Sequence, residues 1–388
     1  MKRALMYASV ASMIQQFNMN NIKLLQHLGY KVDVACNFEY GSTISKDKIE
    51  QLKVELNGMG VRYYHIPIPR KLSDFKGIKV SYQKTKILMD DNKYNLIHCH
   101  SPIGGVICRL ANKNSENYKN SKMIYTAHGF HFFKGNNFVK NLIFRSIEKY
   151  AAKYTDILIT INKEDYVAAK KFKLRKNGSV EYVPGVGIDL HKINSIQGNK
   201  VELCNSLGIP TDSTLLLSVG ELNDNKNHKV VIQALSKLAD NIHYIICGAG
   251  VLKKEYEKLA KELQVENRLH LLGYRSDVIS IMKSCDIFVF PSKREGLSVA
   301  LMEAMACGLP CVVSDIRGNV DLIENNINSF TFQQDDYVEL YRIISLFDDY
   351  LINIFRDKNL LKSKDYDIKQ ICNLMLCIYK GDLSNAKS

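Results

Sequence analysis

The sequence contains no apolar run long enough to cross a membrane. A bilayer-spanning helix needs roughly 18 or more consecutive apolar residues, and every apolar stretch of this 388-residue chain is shorter than that. The first nine residues become polar too soon for a secretory signal peptide, which needs an apolar segment of about 7 to 15 residues. We therefore expect a cytoplasmic protein whose chain begins with a strand at Arg3.

The ten cysteines show neither the spacing of a zinc site nor that of a disulfide framework. Structural zinc sites repeat a close cysteine pair at a set distance from a second pair or from two histidines, and that repetition is missing. Cys247, Cys285 and Cys311 lie inside apolar segments, as buried free thiols do. The pattern is typical of a reducing compartment.

Acidic residues are scarce in the first half of the chain. Residues 1–190 contain 30 Lys and Arg against 15 Asp and Glu, whereas residues 191–388 contain 23 against 25. Such asymmetry indicates an anionic partner for the basic half, although lysine-rich surfaces also serve only to keep proteins soluble. No helix-turn-helix, zinc-finger or ribonucleoprotein motif accompanies the charge, so we expect no nucleic acid. An anionic bilayer surface or a diphosphate-bearing lipid fits the pattern.

Strand-like and helix-like segments alternate along most of the chain. This alternation predicts an α/β protein with doubly wound parallel sheets, and the length is enough for two domains. Gly and Pro concentrate at 184–189, where we place a hinge, followed by a linker with few apolar anchors to about residue 197. We expect a first domain at 1–190, a second at 198–364, and a last helix with a tail at 365–388. Ligands of such sheets bind beyond the carboxyl ends of the strands.

One segment, 286–310, combines a strand, a loop and a helix with polar side chains. Its strand is Ile287–Phe290, and Ser298 is the predicted N-cap of the helix. Backbone N–H groups at a helix N-terminus attract anions, and the carboxylates of Glu295 and Glu303 can accept hydrogen bonds from hydroxyls. A diphosphate between two hydroxylated rings, as in a nucleotide sugar, matches this pattern. The alternative is a pair of glutamates on a solvated face.

The same segment resembles a known family. Glu295-Gly-Leu-Ser followed by Glu303-Ala-Met-Ala-Cys-Gly-Leu-Pro is similar to the two-glutamate signature of retaining family 4 (group 1) glycosyltransferases of the GT-B fold. The similarity covers nearly the whole chain and is strongest over 214–325, with 97–131 next. It implies two Rossmann-like doubly wound domains facing a central cleft, with a C-terminal helix that crosses back to the first domain.

The resemblance also implies roles for individual residues. Glu303 would hold the ribose hydroxyls, Glu295 would orient the donor sugar, and Lys226 would hold the donor diphosphate together with the helix N-terminus. Further donor contacts are implied for residues of four loops: Gly220, Gly248, Gly273, Tyr274, Arg275, Gly296, Leu297 and Ser298. Gly318 and Asn319 are expected to face the same site.

Two loops depart from the family pattern. The family has an Arg after the glycine at position 220, but this chain has Glu221, which would repel a diphosphate if it pointed toward it. We expect Arg294 to supply the missing positive charge. The family also has a Gly-rich loop after the first strand, whereas residues 9–17 contain no glycine. How closely the main chain approaches a ligand there is left open. From Ile14 to Leu28 we predict one amphipathic helix.

Four histidines lie at or just after the ends of two predicted strands of the first domain: His98, His100, His128 and His131. They lack the carboxylate or Cys partners and the helical spacing of familiar zinc sites, so we expect strand-end histidines and no metal. Thr126-Ala-His-Gly-Phe-His131 resembles the family's active-site loop in the first domain. On that resemblance His128 contacts the donor sugar, and His131 is the weaker candidate.

A basic amphipathic helix is predicted at 136–154. We expect its apolar stripe, which includes Phe138, Leu142 and Ile143, to pack on the sheet of its own domain. Its basic face, with Lys140 and Arg145, is available to an anionic membrane.

Together these features predict a retaining glycosyltransferase at the inner face of the plasma membrane, as a peripheral protein. It would transfer a hexose or N-acetylhexosamine from a nucleotide diphosphate sugar, with UDP favoured over GDP, to a polyprenyl-diphosphate-linked saccharide of a capsule, exopolysaccharide or O-antigen. We expect no cofactor and no metal requirement. A UDP-sugar epimerase of the same fold and a non-catalytic two-lobed sugar-binding protein are the alternatives.

Overall fold

Both halves of the chain are built around a parallel β-sheet. The computed structural model describes residues 2–42 and 44–382, which form two compact units. Among these residues, the first unit contains those up to Pro184 and those from Cys372 onward, and the second contains Gly185–Ile371. The end of the predicted tail, 383–388, lies outside the described residues.

The first unit contains a seven-stranded sheet in the order β3-β2-β1-β4-β5-β6-β7, with every neighbouring pair parallel. Its central strands are apolar and buried on both faces because helices cover both sides. The strands are β1 Arg3–Val10, β2 Lys31–Asn37, β3 Arg62–His65, β4 Leu96–His100, β5 Lys122–Ala127, β6 Ile157–Thr160 and β7 Ser179–Tyr182.

In the described residues, seven helices connect these strands: α1 Ala11–Phe17, α2 Met19–His27, α3 Lys46–Gly58, α4 Phe75–Asn92, α5 Pro102–Lys113, α6 Phe138–Ala152 and α7 Lys163–Ala169. The prediction of a loop at 9–17 was wrong, because β1 extends to Val10 and α1 begins at the next residue, Ala11. The single helix expected from Ile14 to Leu28 is broken at Asn18, whose buried side chain donates to the carbonyl of Met13.

The second unit contains a six-stranded parallel sheet in the order β10-β9-β8-β11-β12-β13. Its strands are β8 Thr214–Val219, β9 Ile242–Cys247, β10 Leu269–Gly273, β11 Ile287–Phe290, β12 Cys311–Ser314 and β13 Phe330–Phe332. The strand order reverses between β8 and β11, as it does between β1 and β4 in the first unit. Loops on either side of such a reversal separate and leave a crevice at the carboxyl edge.

Between β7 and residue 382, where the described part of the chain ends, there are ten helices: α8 Leu190–Ser195, α9 Lys200–Leu207, α10 His228–Leu235, α11 Lys253–Glu262, α12 Val278–Met282, α13 Val299–Ala306, α14 Asn319–Leu322, α15 Tyr337–Ile344, α16 Asp349–Ser363 and α17 Ile368–Lys380. Short 3₁₀ turns lie at Glu266–Arg268 and Lys364–Tyr366. The predicted linker is ordered, since Ile188 and Ile193 are buried in the core of the second unit.

The last helix supplies residues to both units. From Cys372 onward, α17 belongs to the first unit, where Tyr379 is buried and its hydroxyl lies 2.8 Å from His98 Nδ1. The carbonyl of Ile378 accepts a hydrogen bond from Lys122 Nζ at 3.1 Å. A segment distant in sequence thus completes the first unit.

Helix α6 presents a different face to its sheet from the one predicted. Phe138, Val139, Leu142 and Ile143 are 51–80% exposed, so the expectation that the predicted stripe packs inward was wrong for these four residues. The inward face instead carries Glu148, whose carboxylate accepts from Arg109 Nη2 at 2.8 Å and from the Tyr125 hydroxyl at 3.1 Å. Burying an unpaired carboxylate is costly, so this pair sets the rotation of the helix.

None of the helices found in residues 2–42 and 44–382 has the length and the apolar character required to pass through a bilayer.

Candidate active site

In the second unit the predicted strand–loop–helix segment forms as expected, with β11 ending before Pro291 and α13 beginning after Ser298. Ser298 Oγ accepts a hydrogen bond from the N–H of Leu301 at 3.3 Å, which makes it the N-cap. The N–H groups of Val299 and Ala300 have no acceptor among the described residues. They leave an anion-binding position at the start of the helix.

An ion pair lies at the point where the strand order of this sheet reverses. Lys226 follows β8 and Glu295 follows β11, and Lys226 Nζ lies 2.7 Å from Glu295 Oε1. Both side chains are largely buried, at 21% and 15% exposed, and the ammonium group also lies 4.7 Å from the centroid of the Phe290 ring. The pair holds one positive and one negative group at the crevice of the sheet.

Glu303 has a carboxylate that accepts no hydrogen bond from any residue that the structure describes. Burial raises its pKa from 4.5 to about 7, and the positive charge of Lys192 opposes this shift only in part. A desolvated acid without a partner is characteristic of functional sites, because its hydrogen-bonding capacity is left for a ligand.

Glu221 stands where the family has an arginine, and Arg294 is expected to replace the charge of that arginine. Both residues are exposed, and neither forms an ion pair with a described residue. The carbonyl of Glu221 accepts from the N–H of Asn223, and the carbonyl of Arg294 accepts from Asn225 Nδ2 at 3.1 Å. Asn225 also accepts from the N–H of Lys293. Asn225, which the sequence pattern did not single out, therefore ties the loop after β8 to the loop after β11.

Glycines allow the loops of this edge to approach one another. A Cβ on Gly248 would lie 1.8 Å from the carbonyl oxygen of Gly220, so a side chain there would collide with the loop after β8. A Cβ on Gly318, which has φ +83°, would lie 2.4 Å from the carbonyl oxygen of Gly296. The close approach that these glycines permit is between protein backbones, and a nucleotide contact at Gly248 stays a prediction.

The remaining predicted contacts lie on the same edge of the sheet. Gly273 ends β10 with φ +66°, Tyr274 is 72% exposed, and Arg275 pairs with Asp277. The side chain of Asn319 is fully buried and donates to Ser314, and its contact with a ligand stays a prediction.

In the first unit, three of the four histidines form a row. His100 is the last residue of β4, as expected of a strand-end histidine, whereas His98 lies two residues earlier, inside the strand. His100 Nδ1 lies 3.1 Å from Nε2 of His128, which follows β5, and Phe17 lies against the His128 ring. His131 is separate and packs edge-on against Phe144 of α6.

Burial keeps the histidine row uncharged at neutral pH. Desolvation lowers the pKa of His98 to about 3 and that of His128 to about 4, and it lowers the pKa of His100 well below its usual value. Among residues 2–42 and 44–382 there is no group of three or more His, Cys, Asp or Glu side chains arranged to bind a metal ion.

Comparison with known proteins identifies the class of protein that this fold and site define. The family model described as "Glycosyl transferases group 1" matches residues 200–349, and "Glycosyl transferase 4-like" matches residues 8–162. A solved structure of Anabaena HepE in complex with UDP-glucose has a TM-score of 0.76 and 17% identity, and covers 97% of this chain and 99% of that one. The two units therefore have the fold of GT-B glycosyltransferases.

Sequence similarity then assigns the family. The chain is 31% identical over 347 residues to the putative glycosyltransferase EpsD of Bacillus subtilis (strain 168), covering 88% of this chain and 86% of that one. It is 30% identical over 303 residues to the UDP-Gal:alpha-D-GlcNAc-diphosphoundecaprenol alpha-1,3-galactosyltransferase of Escherichia coli, covering 76% and 77%. The protein belongs to the group 1 glycosyltransferases and is a glycosyltransferase.

The raised pKa of Glu303 predicts a pH-dependent difference in stability. Because burial disfavours its ionised form, the wild-type protein should lose stability relative to Glu303→Gln as pH rises from about 5 to about 8. The difference should reach roughly 2 to 3 kcal/mol, measured by urea unfolding at several pH values. Glu266→Gln, at an exposed glutamate, is the control and should follow the wild type. A constant difference between wild type and Glu303→Gln would contradict the raised pKa.

Proposed function

We propose that the protein is a retaining glycosyltransferase that transfers a hexose or N-acetylhexosamine from a UDP-linked donor to a polyprenyl-diphosphate-linked saccharide. The acceptor belongs to the synthesis of a surface polysaccharide such as capsule, exopolysaccharide or O-antigen. The name of the Escherichia coli relative, with its UDP-linked donor and diphosphoundecaprenol acceptor, supports this proposal. So does the UDP-glucose bound in the Anabaena structure of the same fold.

The Lys226–Glu295 pair beside the unpartnered amides of α13 is the observation that carries the proposal. Negative charge develops on the leaving diphosphate as the bond to the sugar breaks, and positioned donors that stabilise this charge accelerate the reaction. Lys226 and the N–H groups of Val299 and Ala300 supply such donors, and exposed Arg294 adds a cation. In our proposal these groups balance the diphosphate charge, so no metal or cofactor is required.

Donor binding would redistribute the ion pair. A diphosphate competes with Glu295 for the ammonium group of Lys226, and the carboxylate of Glu295 then accepts hydrogen bonds from hydroxyls of the donor sugar. The pair thus keeps both side chains in place before the donor arrives. Glu303 accepts from the ribose hydroxyls in its ionised form, and His128 of the first unit contacts the transferred sugar.

Transfer itself is tested by incubating the protein with a panel of nucleotide sugars, with and without membrane extract that contains lipid-linked saccharides. We expect release of UDP that depends on the acceptor, together with a lengthened lipid-linked saccharide. Lys226→Ala should lower kcat by roughly 10² to 10³. Lys293→Ala is the matched control, because Lys293, on the loop after β11, pairs with exposed Asp224, and its activity should stay near that of the wild type.

Other outcomes of this assay would contradict the proposal. A new nucleotide sugar formed without acceptor would indicate an epimerase, and donor binding without any product would indicate a binding protein. If the Arg294→Ala variant has the donor KM and kcat of the wild type, Arg294 does not contribute to the diphosphate site. The proposed role of Lys226 would not be affected by that result.

We also propose that the protein associates with the inner face of the plasma membrane through α6. Phe138, Val139, Leu142 and Ile143 form an exposed apolar face of this helix, and Lys140 lies among them. Apolar side chains insert below lipid headgroups, while each basic residue near an anionic surface contributes about 1 kcal/mol.

Membrane association is tested by sedimentation with vesicles that contain anionic lipid. We expect the protein to sediment with these vesicles at low salt and less at high salt, and Leu142→Asp to weaken binding at both. Val54→Asp is the matched control, since Val54 is an exposed apolar residue on another helix of the same unit. Recovery of all protein in the supernatant under every condition would remove the proposal.

A further inference from the structure

A groove in the first unit opens between α5, α6 and the loop that follows β3. Its volume is about 300 Å³, which is at the lower end for small-molecule sites. Apolar side chains from all three elements form its walls: Leu72, Ile103, Val106, Phe144 and Ile147. Helix α5 begins directly after β4, so the groove lies at the carboxyl edge of the sheet, where ligands of such folds bind.

The charges around this groove favour an anion at one end. Arg70 and Lys71 line it, both are exposed, and neither forms an ion pair with a described residue. Glu148 also lines it, but its carboxylate is already paired with Arg109 and bonded to Tyr125. The charge left without a partner is therefore positive.

Helix α6 connects the groove to the exposed apolar surface. Phe144 and Ile147 face the groove, and Leu142 and Ile143, on the same helix, are 58% and 51% exposed. A hydrocarbon chain that left the groove along α6 would therefore continue over apolar side chains. An amphiphile with an anionic head and a long hydrocarbon tail matches both features.

We propose that this groove binds the lipid-diphosphate end of the acceptor, with the first hydrocarbon units between α5 and α6 and the diphosphate at Arg70 and Lys71. This inference rests on the proposed function for the identity of the ligand. It assigns the lipid part of the acceptor, and not its saccharide, to a defined set of residues.

The groove is tested by direct binding of farnesyl diphosphate, with farnesol and inorganic diphosphate as separate ligands. We expect farnesyl diphosphate to bind more tightly than either fragment. Arg70→Ala should weaken it roughly tenfold, and Val106→Asp should weaken it further while leaving inorganic diphosphate unaffected. Lys79→Ala, at an exposed lysine of α4, is the control for loss of positive charge.

The outcomes separate the groove from the proposed function. If farnesyl diphosphate binds as expected but no sugar is transferred, the groove stands and the transferase proposal fails. If transfer to lipid-linked acceptor proceeds with an unchanged acceptor KM in Arg70→Ala and Val106→Asp, the groove proposal is overturned. Equal affinity for farnesyl diphosphate and inorganic diphosphate would overturn it as well.

A second inference follows from the histidine row and does not depend on the groove. His100 is 1% exposed, and its Nε2 lies 3.2 Å from Met6 Sδ. A thioether sulfur has no hydrogen to donate, so this contact is a hydrogen bond only if Nε2 carries the proton. A neutral His100 then has a bare Nδ1, which must accept from Nε2–H of His128, 3.1 Å away.

The same reasoning continues to the far side of His128. Burial keeps this ring neutral, with a pKa of about 4, so a proton on Nε2 leaves a lone pair on Nδ1. No described residue bonds to that Nδ1. We infer that Met6 and His100 are positioning residues that hold His128 as a hydrogen-bond acceptor, able to receive a bond from a substrate hydroxyl.

Long-range ¹H–¹⁵N spectra of protein labelled at histidine report which ring nitrogen carries the proton. We expect His128, assigned with His128→Gln, to be protonated at Nε2 and bare at Nδ1. Met6→Leu removes the sulfur acceptor and should shift His128 toward the other form, whereas Met123→Leu, at another buried methionine of the same unit, should not. A wild-type His128 protonated at Nδ1, or identical His128 signals in both variants, would overturn the inference.

Discussion

In a parallel sheet the carboxyl ends of all strands lie at one edge, and this constraint brings the candidate site residues of each unit together. Strands β8 and β11 are neighbours although two other strands separate them in sequence. Their following loops place Lys226 and Glu295, 69 residues apart, at 2.7 Å. In the first unit the neighbouring strands β4 and β5 bring His100 and His128 into contact in the same way. The chemistry of each edge therefore depends on strand order, which no short motif encodes.

The buried ionisable groups of the two units differ in how the cost of burying their charge is avoided or offset. Arg109 with Glu148, and Lys226 with Glu295, are paired, and the histidines stay neutral. Glu303 is neither paired nor stably ionised. Its ionised form gains most from a ligand that brings hydrogen-bond donors, because a desolvated carboxylate lacks such donors in the free protein. This unsatisfied acceptor lies in the same unit as the unpartnered N–H groups of Val299 and Ala300.

Sequence patterns within a segment predicted some strands and helices well. They failed where the structure depends on a contact with a residue distant in sequence. The bounds of β11 and the N-cap of α13 were predicted because the strand is a short apolar run closed by Pro291 and Ser298 is a good capping residue. The face of α6 was wrong because periodicity counts Glu148 as polar and cannot see Arg109, which lies 39 residues away. The Lys226–Glu295 contact, Asn225 and the row formed by His100 and His128 depend on strand neighbours, so spacing along the chain did not show them.

The bond between Tyr379 and His98 joins residues 281 positions apart. During synthesis the ribosome releases the amino-terminal sheet long before it has made α17, so the nascent first unit must wait for the whole second unit to be translated. Until then the side of His98 that faces Tyr379 is uncovered, and the first sheet is held without its last helix. The first unit is therefore synthesised before the second unit, but its fold can be completed only after the second unit has been synthesised.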